Sequence, residues 1–90
     1  MTEVVLLVSS LVLADLRDGE GRDATAVRLM QEAQDRNATV NLATAFPDPE
    51  RKGASFLTIR IGDDAAAFVE TICDLDGVLS CYVKPQVELP

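Results

Sequence analysis

Five consecutive apolar residues, Val4-Val5-Leu6-Leu7-Val8, three of them β-branched, constrain this chain more than any other stretch. A run with no polar alternation suits a central strand covered on both faces, or on one face plus a partner. The apolar run resumes at Leu11-Val12-Leu13, so the strand is expected to extend or bend at Ser9-Ser10. Asp15 to Arg22, which includes Asp18-Gly19-Glu20-Gly21, reads as a polar loop punctuated by glycine.

The remaining elements follow from changes of period. Asp23 is suited to cap a helix over Ala24 to Asp35, with Ala26, Val27, Met30 and Ala33 on one face and Asn37 as its end. Ala38 to Phe46 sets Val40, Leu42, Thr44 and Phe46 against Thr39, Asn41, Ala43 and Ala45, which is strand periodicity. The stretch Pro47-Asp48-Pro49-Glu50-Arg51-Lys52-Gly53 is a turn-rich hairpin connector. Phe56 to Ile61 then puts Leu57, Ile59 and Ile61 on one side and Phe56, Thr58 and Arg60 on the other. Asp63 or Asp64 caps a second helix carrying Ala65, Phe68, Val69, Ile72 and Leu75, and Gly77 closes it before a last strand, Val78 to Val83.

Strand, helix, strand, strand, helix, strand is the order of two split β-α-β units. The expectation is therefore an α+β, ferredoxin-like βαββαβ sandwich, a four-stranded antiparallel sheet with two helices on one face. Strands one and three are central; two and four are edges. One domain spans residues 1–85, and 86–90 form an extended C-terminal tail. In the last strand Leu79, Cys81 and Val83 are expected to point inward. The open face would then carry Phe56, Thr58, Arg60, Ser80 and Tyr82, a mixed polar and aromatic surface.

Composition removes several functions. The formal charge of -7, with no basic cluster larger than Arg51-Lys52, argues against a nucleic-acid partner. The chain has no histidine, which removes Ser-His-Asp and Cys-His catalysis and the commonest zinc ligand. Counting from Asp15, the third loop residue is Arg17 and the twelfth Ala26, so the acidic loop fails the EF-hand spacing. Asp63-Asp64 reads as a helix cap rather than a carboxylate pair. No enzyme constellation, metal site or cofactor site is expected. Met1-Thr2-Glu3 places an acid where a signal peptide needs a base, and the apolar run is too short to span a membrane. A cytoplasmic domain follows, although one cut from a secreted precursor would look the same. Cys73 and Cys81 read as two reduced core thiols.

What remains is the end of the chain. Val78-Leu79-Ser80-Cys81-Tyr82-Val83-Lys84-Pro85-Gln86, after a capped helix and a Gly turn, resembles the closing segment of subtilisin-type propeptides and their free-standing inhibitor relatives. The resemblance implies a non-enzymatic inhibitor or folding chaperone of a subtilisin-like serine protease. Its open sheet face, with Phe56 and Tyr82, would dock on the protease. Lys84, Gln86, Val87, Glu88, Leu89 and Pro90 would run into the cleft as an added strand, with Pro90 nearest the catalytic serine. Lys84 and Gln86 stand where that family carries acids, so the contact those acids make is lost or displaced. Two other readings share the element order: an ACT-like amino-acid-binding regulatory module, and a ferredoxin-like subunit that forms a homodimer through its edge strand.

Overall fold

The computed structural model describes residues 2–62 and 64–84. Its elements are β1 (Thr2–Ser9), α1 (Ser10–Asp18), α2 (Ala24–Asp35), β2 (Thr39–Pro47), β3 (Ala54–Ile61), α3 (Ala65–Cys73) and β4 (Val78–Val83). The strands form one antiparallel sheet in the order β2-β3-β1-β4, which makes β1 and β3 central and β2 and β4 the edges. This is the expected ferredoxin-like α+β sandwich with one addition, the helix α1.

On one face of the sheet Val4, Leu6 and Val8 pack beside Leu57, Ile59 and Ile61. Val12, Leu13 and Leu16 of α1, Ala26, Leu29 and Ala33 of α2, and Phe68 and Ile72 of α3 join the same cluster. All three helices therefore cover a single face. Phe68, Leu29 and Leu6 are among the largest side chains fully enclosed there. Glu32, buried on the flank of α2, is held between Arg28 and Arg36, and Arg36 also sits 5.7 Å from the centre of the Phe68 ring.

Helix α1 replaces the expected extension of the first strand. Ser9 ends β1 as a cap: its hydroxyl accepts from the Val12 amide at 3.3 Å. Val12, Leu13 and Leu16 then fall on one helical face and bury, while Leu11 is left exposed. Gly19, at φ 67°, gives the left-handed stop. The first half of the acidic stretch, Asp15 to Asp18, is thus helical, and Asp15 is buried. Its carboxylate accepts from the backbone amides of Arg22 at 2.9 Å and Asp23 at 3.2 Å, which ties α1 to the start of α2. Asp23 caps α2 as expected, accepting from Thr25 and Ala26. Asp64 precedes α3 with φ 61° and contributes no side-chain cap bond.

Two strand readings are corrected. In β2, Asn41 faces Thr58 but Phe46 faces Phe56, so three extra residues bulge between them. An odd shift reverses the side-chain alternation. Val40, Leu42 and Ala45 pack on the core, and Phe46 turns to the other face. In β4, Leu7 faces Ser80 while Val8 faces Val78, which leaves Leu79 in a bulge. Val78 and Cys81 reach the core and Val83, opposite Val4, keeps the inward side at the sheet edge although it is 39% exposed, whereas Leu79 is 49% exposed in the bulge instead of pointing inward.

The cysteines are not free thiols. Cys73, at the end of α3, is joined by a disulfide to Cys81 in β4, with Cα atoms 5.9 Å apart. The bridge ties the helix to an edge strand whose side chains are mostly exposed. Closing a loop this short removes unfolded-state freedom worth about 2–3 kcal/mol. Replacing both cysteines by serine should lower the melting temperature by roughly 10 °C or more. A calorimetric midpoint that does not move in the double variant would show that the bridge contributes nothing.

Candidate protein-docking face

The face opposite the helices is open, and the strand register arranges it in three rows. Cross-strand partners point to the same side of a sheet. The first row is Phe46, Phe56, Leu7 and Ser80. The second is Asn41, Thr58, Val5 and Tyr82. In the third, Thr39, Arg60 and Glu3 lie side by side, and the Lys84 amide donates to the Glu3 carbonyl at 2.8 Å. The face thus grades from aromatic to charged along the strand direction.

Phe46 and Phe56 form a tilted aromatic pair with centroids 5.1 Å apart. Leu7 is only 6% exposed although it belongs to the helix-free side, whereas Phe46 and Tyr82 are 55% and 50% exposed. The apolar row is therefore filled in at its centre and bare at its flank. At the other end, the Glu3 carboxylate lies 3.8 Å from Arg60 Nε and 3.5 Å from Lys84 Nζ. Both separations exceed a direct N–H···O bond, so these are loose pairs at a solvated surface. Glu3, Asn41, Thr44, Thr58, Arg60 and Lys84 line a hollow of about 420 Å³ there.

Of the binding residues expected from the sequence, Phe56, Tyr82 and Lys84 lie on this face, one in each row. Gln86, Val87, Glu88, Leu89 and Pro90 lie outside the described residues. Glu3, Asn41, Thr44 and Phe46 join the face without having been singled out. The sequence signals for Glu3 and Asn41 are their alternation with Val4 and Val40, whereas Thr44 and Phe46 depend on a bulge that the regular pattern conceals. Among the described residues, no group of three or more His, Cys, Asp or Glu side chains is placed to hold a metal ion. No described helix is long and apolar enough to cross a membrane. The chain matches no protein-family model and no curated protein.

Because Phe46 packs on Phe56 outside the core, Phe46→Ala should cost only about 1 kcal/mol in urea unfolding. Phe68→Ala, which empties a core site, should cost about 3–5 kcal/mol. Equal losses would mean that Phe46 belongs to the core after all.

Proposed function

We propose that this domain binds a subtilisin-like serine protease, as a propeptide-like inhibitor or folding chaperone, by laying its open sheet face on the protease. The observation that carries the reading is the face itself, which presents the Phe46–Phe56 pair toward one edge and Tyr82 on the opposite edge strand, with no helix over them. Exposed aromatic residues such as Phe46 and Tyr82 are enriched at protein interfaces, and Tyr is among the types that dominate their energetics. Tyr82 and Lys84 also stand directly before Pro85, so a partner engaged by the face is within reach of the residues that follow. Those residues, Gln86 to Pro90, would add a strand in the protease cleft, with affinity from main-chain bonds and selectivity from alternate side chains.

The Cys73–Cys81 disulfide supports a location other than the cytoplasm, because such bridges persist where thiols are kept oxidised. We therefore favour a domain released from a secreted precursor.

Titrating the chain against a panel of subtilisins is the direct test. Saturable inhibition or assisted refolding of at least one enzyme is expected. Tyr82→Ala should weaken it by about tenfold, and removal of Gln86 to Pro90 should abolish inhibition. Inhibition that survives the deletion would show that the tail is not the inhibitory element. No effect on any subtilisin, together with a doubled mass on size exclusion, would favour the homodimer reading instead.

A further inference from the structure

The charged end of the open face is unlike the rest of the molecule. The chain has fifteen acids and eight bases, yet among the described residues the outer face of the sheet carries Glu3, Arg60 and Lys84 only. Two bases thus share one acid on the open face of a domain whose net charge is -7. The hollow they line adds the amide of Asn41 and the hydroxyls of Thr44 and Thr58, so donors outnumber the acceptor charge.

Docking this face, the reading on which the inference rests, takes Arg60 and Lys84 out of water. Glu3 can neutralise one of them. Among the described residues the other has no counter-charge on this face, and burying an unpaired ion is strongly unfavourable. A partner that docks here must therefore bring an acid. We propose that the hollow between Asn41, Thr44, Thr58, Arg60 and Lys84 receives an Asp or Glu side chain from the partner protein's surface. A surplus of one positive charge matches one carboxylate; a phosphate, with nearly two negative charges at neutral pH, would be left under-compensated beside Glu3. The loose geometry of the Glu3 pairs lets both cations turn toward an incoming acid without first breaking a tight bond. The acids elsewhere on the domain repel a carboxylate, so the same charge pattern also sets the orientation of docking.

Two measurements on the full chain test this. In the first, the amide spectrum is followed while a tetraglutamate peptide is added at about 20 mM salt, where screening is weak. Saturable shifts confined to Asn41, Thr44, Thr58, Arg60 and Lys84, lost in the double variant Arg60→Gln, Lys84→Gln, are expected. Shifts that never saturate, shifts of equal size around Arg51-Lys52, or tighter binding of inorganic phosphate would overturn the proposal. In the second, the double variant is compared with the native chain against whichever subtilisin it inhibits best. Inhibition should weaken by about tenfold at low salt, the difference shrinking as salt rises, whereas unchanged or tighter inhibition would overturn the proposal. If no subtilisin is inhibited, the docking reading falls by itself and the peptide titration alone decides whether the carboxylate site exists.

Discussion

The double pairing of β1 is the constraint on which the structure depends. From Val4 to Val8 it is bonded to β3 on one side and β4 on the other, so its backbone is satisfied within the sheet over that span. Val4, Leu6 and Val8 are fully buried under the helices, and Leu7 is nearly buried on the side without them. A strand this enclosed fixes which residues of its neighbours face in and which face out. Shifting its register by one residue would exchange the aromatic row for the core row, with a cost no surface interaction could offset.

How much of this was legible in the chain depends on how local each signal is. Helix α2 could be read because Asp23 caps it and its apolar positions recur at helical spacing, both within a dozen residues. β3 could be read because Leu57, Ile59 and Ile61 alternate without interruption. Helix α1 is not legible because Leu11-Val12-Leu13 is as good a strand as a helix taken alone; the deciding contact, Ser9 to the Val12 amide, is a choice of backbone geometry. The bulge in β2 left no trace in an alternation that looks regular from Val40 to Phe46. The disulfide needs the end of α3 to lie over the middle of β4, which seven intervening residues permit and do not require. The candidate site divides the same way. Phe56, Tyr82 and Asn41 follow from alternation within their own strands, while Phe46 and Thr44 are brought to the face by the shift in register.

The molecule separates two kinds of electrostatics. On the helical side charges are held in short local arrangements, such as Glu32 between Arg28 and Arg36 and the Asp15 carboxylate on two backbone amides. These fix helix positions. On the sheet side the pairs are long, solvated and unbalanced, which makes them poor stabilisers and leaves them available to a partner. Apolar and charged rows thus lie on one face, which under the proposed docking would supply both contact area and a sense of direction.

The turn at Gly77 has a consequence for how this domain can be rebuilt. Its φ is 90°, and a side-chain carbon there would approach Val12 to 2.9 Å. The Gly77 carbonyl accepts from the Ser9 amide, and the neighbouring Asp76 carbonyl accepts from the Thr25 hydroxyl. The start of α1, the start of α2 and the entry to β4 therefore meet at one small joint with no spare volume. Loop grafts, tags and new chain termini belong instead in the β2–β3 connector at the same end of the sheet, around Pro49 to Lys52, where the residues are exposed and the Ser10 amide bonds only to the Gly53 carbonyl beyond them. The domain is, in effect, a scaffold with one rigid corner and one replaceable one.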